Sequence, residues 1–163
     1  MKFVIDNNKF IVFLNKKFDL DDKLKLEKYF KDLFYNLKNK YNMEVNGYYN
    51  INVYADKYYG TIIEMENEDL EYYTYFNQID MEINVFKSSF YYKVDYSFLD
   101  QDILNKCFCY KYDDQIYLKI KDSIDKITLS KLLEISNVSY GEEAEMIAKY
   151  GKKVKIWKNQ LSL

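Results

Sequence analysis

The sequence predicts an α+β fold of antiparallel β-hairpins and sheets, with amphipathic helices packed on one side, in two similar-sized halves. Three observations carry that expectation. Short runs of alternating apolar and polar residues recur around polar turns, as hairpins require. One long stretch, and two shorter ones late in the chain, space their apolar residues at the helical period. With 163 residues, 48% hydrophobic and 31% charged, the chain can bury a core without disulfide or metal staples.

"KFVIDNNKFIVFL" predicts a hairpin turning at Asp6-Asn7-Asn8-Lys9, with its second strand over Phe10 to Leu14. "DLDDKLKLEKYFKDLFYNLKNKYN" predicts a helix with a stripe of Leu26, Phe30, Leu33, Phe34, Leu37 and Tyr41. Asp19 or Asp21 suits its N-cap, Lys38 and Lys40 suit the negative end of its dipole, and it stops around Asn42. In "GYYNINVYADKYYGTIIEME", Tyr49, Ile51, Val53 and Ala55 share one strand face. The chain turns over Asp56 to Gly60 and returns over Thr61 to Glu66. This hairpin-helix-hairpin half spans 1–67.

An ordered Tyr-rich connector, 68–78, follows. As a helix it turns Leu70, Tyr73 and Phe76 inward and displays Tyr72 and Tyr75. As a strand it buries Leu70, Tyr72 and Phe76 and displays Tyr73 and Tyr75. The second half, 79–163, opens with "MEINVFKSSFYYKVDYS", a hairpin turning at Lys87-Ser88-Ser89. "FLDQDILN" makes a helical turn. "KCFCYKYDDQIYLKI" turns at Asp113-Asp114, with Ile116, Leu118 and Ile120 on one face. Leu129, Leu132 and Leu133 mark a helix, Ser139 or Gly141 opens another, and Gly151 ends it. "KKVKIW" reads as an edge strand guarded by Lys. No Pro/Gly/Ser-rich linker interrupts the chain, which favours one compact body.

Three absences restrict the chemistry. There is no His, so the usual general base near neutral pH and the commonest nitrogen ligand for zinc are missing. Ser-His-Asp and Cys-His catalysis are excluded. Every basic residue is Lys, so no guanidinium fork is present for phosphate or guanine. There is also no Pro. The abundance of Lys, Asn, Ile, Tyr and Phe follows A/T-rich codons and points to a low-GC bacterium or its phage. The 19 Tyr residues therefore carry two readings, codon bias and selection for binding.

The net charge is −2 with both signs interspersed, which disfavours nucleic-acid binding. No run is long and apolar enough for a membrane span or signal peptide, so the expected location is cytoplasmic. Cys107 and Cys109 share one strand face and read as buried free thiols, with redox sensing as the alternative. Glu64, Glu66, Glu68 and Asp69 read as a solvated strand face, and Glu142, Glu143 and Glu145 as dipole partners of a helix start. No cofactor or metal site is expected.

The order of elements resembles the MecA family, adaptors that deliver substrates to the Clp AAA+ protease in low-GC Gram-positive bacteria. An early strand, the helix "KLEKYFKDLFYNL" and the paired strands "YNINVYADKYYGTIIEM" are similar to the family's N-terminal domain. "CYKYDDQIYLKI", "LSKLLEIS" and "IAKYGKKVKIW" resemble its C-terminal domain, where a Tyr-rich hairpin precedes two helices and a "YGK" strand entry. The resemblance implies substrate binding by the first half and engagement of the unfoldase by the second. It makes Tyr110, Tyr112, Tyr117, Tyr150 and Gly151 framework positions.

The expected function is therefore a non-catalytic protein-interaction module, with a Clp adaptor as its concrete form. Its partner-binding residues are Tyr72, Tyr73, Tyr75, Phe76, Tyr58, Tyr59 and Trp157, because exposed Tyr and Trp supply large contact area for little entropy. Two alternatives stand beside it: a phage or mobile-element inhibitor of a host system, and a His-free enzyme using carboxylates or Lys.

Overall fold

Alternating apolar residues need a sheet with one face covered, and the chain builds two such sheets. A computed structural model describes residues 2–6, 9–14, 22–42, 44–56, 60–68 and 78–156. It divides into two units, Met1–Ala55 with Tyr59–Lys87, and Asp56–Tyr58 with Ser88–Leu163. The α+β class is as expected.

The first unit contains β1 (Lys2–Asp6), β2 (Lys9–Leu14), α1 (Lys23–Tyr41), β3 (Gly47–Asp56), β4 (Thr61–Glu68) and β5 (Ile79–Ser88). Its sheet runs β1-β2-β4-β3-β5. In the first hairpin Asp6 stands opposite Lys9, the two ends of the expected turn. Helix α1 is capped by Asp22, whose Oδ1 accepts from the Lys25 N–H at 3.1 Å. The anticipated caps, Asp19 and Asp21, lie outside the described residues. Asn42 ends the helix in the left-handed conformation (φ 51°), which Asn tolerates better than most residues.

The stripe on α1 buries Leu26, Phe30 and Phe34 against Val12, Tyr49, Ile51, Val53, Ile63 and Met65. Leu33 and Leu37 are half-buried beside them, while Tyr41 at the stripe's end is 69% exposed. Along β3 burial alternates, because only one face meets the helix. Gly60 (φ 84°) is required where the chain turns into β4, since a Cβ there would strike the Phe13 ring.

Strand β5 departs from expectation. The sequence pairs it in a hairpin over 81–96, but it lies beside β3, while the expected partner, β6 (Tyr91–Val94), belongs to the second sheet. Gly47 N donates to Gln78 O at 2.9 Å, and Tyr48 and Asn50 hydrogen-bond with Glu82 and Asn84. Partners that advance together along both strands define a parallel pair. The physical reason is apolar area. Ile79, Met81, Ile83 and Val85 pack onto the α1 core, which a hairpin with β6 would leave short of one strand. The break between units accordingly falls between Lys87 and Ser88, rather than at the 68–78 connector.

The second unit contains β6 (Tyr91–Val94), a 3₁₀ turn (Tyr96–Phe98), α2 (Gln101–Lys106), β7 (Cys107–Tyr112), β8 (Gln115–Ile120), α3 (Lys126–Ile135), β9 (Ser136–Ser139), α4 (Gly141–Tyr150) and β10 (Lys152–Val154). The sheet runs β10-β7-β8-β6-β9. The β7–β8 hairpin turns at Asp113-Asp114 as expected. Strand β9 was not anticipated, since "SNVS" carries one apolar residue; it pairs with β6.

This sheet is covered on both faces rather than one. Helix α4 places Ala144 and Ile147 on Tyr91 and Tyr117, with Tyr110 and Tyr112 alongside. The opposite face, including Cys107, Cys109, Ile116, Leu118, Ile120 and Tyr92, is also buried. Helices α2 and α3 contact β7, β6 and β9 and bury Ile103, Leu104, Leu129 and Leu132. Gly151 follows α4 as expected, but with φ −66°. It is needed for close approach, since a Cβ there would meet the Ile147 carbonyl oxygen.

Candidate protein-interaction site

All seven residues nominated from the sequence, Tyr58, Tyr59, Tyr72, Tyr73, Tyr75, Phe76 and Trp157, lie outside the described residues. Among the described residues, the Tyr population divides by role. Tyr49, Tyr91, Tyr92 and Tyr117 are core residues, whereas Tyr35, Tyr41, Tyr96 and Tyr150 are exposed. Burial pushes the phenols of Tyr49, Tyr91 and Tyr117 above the ordinary tyrosine value. They stay neutral and serve packing. The positions that the MecA resemblance makes framework divide the same way: Tyr117 is buried, Tyr110 and Tyr112 are half-buried, and Tyr150 is exposed.

Exposed Tyr35 belongs to a defined feature. Lys31, Tyr35, Lys38 and Asn39 of α1, with Ile79 of β5, line a cleft of about 420 Å³. Its base is the seam where the helix rides over the first residue of β5. Lys31 is ion-paired with Glu27 one turn earlier, and that carboxylate raises the Lys31 pKa. The Lys38 ammonium donates to Asn46 Oδ1 at 3.1 Å. The cleft wall therefore carries fixed cations around an aromatic ring. One signal was visible in the sequence: Tyr35 falls off the apolar stripe of α1, where an aromatic residue has no core to fill.

Beside the cleft runs the outer edge of β5. In the ladder begun by Gly47 and Gln78, even-numbered β5 residues turn their N–H and C=O groups to β3. Ile79, Met81, Ile83 and Val85 turn theirs outward. Among the described residues no strand pairs with this edge. A ten-residue edge with open donors and acceptors is a template for another extended chain.

The other face of the first sheet mixes internally bonded polar residues with buried Phe13 and Ile62. Tyr48 donates to Glu82, Asn50 to Glu68 and Asn84 to Asn50, and the Tyr54 and Phe86 rings stack at 5.0 Å. Glu64 and Glu66 share this face as expected. Glu66 is exposed, but Glu64 is only 8% exposed and meets Lys9 at 3.2 Å, so this strand face is only partly solvated. Cys107 and Cys109 are buried free thiols. Among the described residues no cluster of three or more Cys, Asp or Glu is placed to hold a metal, and no helix is long and apolar enough to cross a membrane.

No protein-family model, curated protein or solved structure matches the chain.

Proposed function

We propose that this chain is a non-catalytic cytoplasmic protein-interaction module that takes an extended segment of its partner along the free edge of β5. In its concrete form it is a regulatory adaptor of a Clp-type protease. The observation that supports the module reading most directly is the ten-residue edge of β5, unpaired among the described residues, beside the cleft of Lys31, Tyr35, Lys38, Asn39 and Ile79. Strand addition draws affinity from main-chain hydrogen bonds, and a neighbouring pocket selects a side chain. Tyr35 is the natural hot spot, being large, rigid and 68% exposed. The adaptor form rests on the resemblance in element order to the MecA family.

The test is affinity capture from the native cell with the full chain and two variants. Met81→Pro removes an outward-facing N–H from the edge, a position where a strand tolerates Pro. Tyr35→Ala strips the cleft wall without touching the core. A thermal melt confirms that each variant is folded. Recovery of a Clp unfoldase or its substrates by the wild-type chain, and their loss with both folded variants, supports the reading. Recovery of the same proteins with folded Met81→Pro rules out β5 as the docking edge, and recovery with Tyr35→Ala rules out the cleft as its side-chain pocket. A partner set lacking any Clp component overturns the adaptor form.

A further inference from the structure

We infer that the second unit carries a separate docking patch for an acidic polypeptide segment, formed by Lys121 and Lys153 at the Phe108 ring and by Lys119 on the neighbouring strand. Phe108 lies on β7, opposite Lys119 of β8. From β10, on the other side of β7, the Lys153 ammonium sits 3.7 Å from the Phe108 ring centre. The Lys121 ammonium lies 5.4 Å from the same centre and donates to the Asn105 carbonyl at 2.9 Å. Lys119 donates to Ser89 Oγ at 3.1 Å and stands 5.0 Å from the Tyr91 ring centre.

Each cation is thus positioned by a ring or a neutral acceptor, and none by a carboxylate. Elsewhere Lys9, Lys25, Lys31 and Lys111 each pair with an Asp or Glu. No described carboxylate lies within ion-pairing distance of Lys119, Lys121 or Lys153. Lysine side chains held close together without a counter-charge repel one another, and an anion laid across them removes that cost.

The same geometry selects the class of anion. Proteins that bind single-stranded nucleic acid offer open ring faces for base stacking. Here Phe108 has two ammonium groups within 5.4 Å of its ring centre, and Tyr91 and Tyr117 pack under Ala144 and Ile147 of α4. Tyr110 and Tyr112, half-buried on the same face, pack edge-on or tilted against Tyr91 and Tyr117, so each of these rings already has a partner and carboxylates are the fitting ligand. Strand β10 is the outermost strand of its sheet, so the patch opens at an edge that an extended chain can approach. This surface is independent of β5 and stands whether or not strand addition occurs there.

The test is fluorescence anisotropy of the full chain with a fluorescein-labelled Glu-Ser repeat peptide and, separately, a labelled oligothymidylate of equal charge. The peptide is expected to bind at low salt and to be released at ~0.3 M salt. The triple variant Lys119→Gln/Lys121→Gln/Lys153→Gln is expected to weaken binding by about tenfold, and Lys153→Gln alone, at an exposed position, by a smaller factor. Lys28→Gln on α1 leaves it unchanged. Three results overturn the inference: no peptide binding at low salt, equal binding by the folded triple variant, or tighter lysine-dependent binding of the oligonucleotide than of the peptide.

Discussion

Cys107 and Cys109 show what a single residue's surroundings decide. Their C-x-C spacing on a strand put both thiols on one face, which the sequence shows without ambiguity. Whether that face is wet or dry depends on helices arriving from elsewhere in the chain. The face proves dry, and burial, with Cys109 alongside, pushes the Cys107 thiol up to about 12 from an ordinary 9.0. Cys109 shifts the same way, again through burial. Below the ordinary value both folded and unfolded thiols are protonated, and the stabilisation is fully present. As pH rises from about 9 towards about 12 the unfolded Cys107 thiol ionises first, and stability falls by up to roughly 1.4 kcal/mol per pH unit, with Cys109 adding to the fall in the same direction. The melting temperature is therefore expected to be flat with respect to these groups up to pH 9 and to drop above it. Cys107→Ala/Cys109→Ala reduces the slope. Rapid labelling of both thiols by a disulfide reagent in the native protein at neutral pH would contradict this account.

At the scale of elements, the β7–β8 hairpin separates what alternation reveals from what it hides. The turn's place was legible from Asp113-Asp114 between two alternating runs. Its handedness was not. Both residues take positive φ, 46° and 55°, the type I′ geometry that matches the right-handed twist of the flanking strands. Asp tolerates that region but Asn-Gly prefers it. Asp113→Asn/Asp114→Gly is expected to stabilise the protein by about 1 kcal/mol, read as a higher urea midpoint at unchanged m. The exposed Lys111–Asp114 pair is lost in the change and contributes little. An unchanged or lower midpoint argues against a strained turn. Strand pairing was less legible than turn position. The sequence marked "MEINVFKS" as a strand, but nothing in it says whether β3 or β6 lies alongside.

Across the whole molecule, two cores stand behind two sheets, and the division between the units falls after β5. The α1 stripe made the first core legible. The second depends on the unforeseen β9 and on α4 covering the Tyr face, features that short polar segments do not announce. The nominated binding residues fall outside the described residues, and the cleft at Tyr35 comes from packing between segments far apart in the chain. Phe30→Ala empties a fully buried ring site and is expected to cost about 3–5 kcal/mol. Hydrogen exchange locates the damage: amides of β2 to β4 are expected to lose protection, while those of β7 and β8 keep theirs. Equal loss in both sheets would show that the two cores open as one.

The parallel seat of β5 also sets an order of events during synthesis. The hairpin β3–β4 can close soon after Glu68 leaves the ribosome, yet the strand that shields the outer side of β3 is ten residues further on. Until Lys87 has emerged, the nascent chain holds Tyr49, Ile51 and Val53 on a strand with one side unguarded, a surface on which neighbouring nascent chains can template. A fragment meant to carry the first sheet alone has to run to Lys87. Stopping at the end of β4, where the sequence places a boundary, leaves an aggregation-prone remnant.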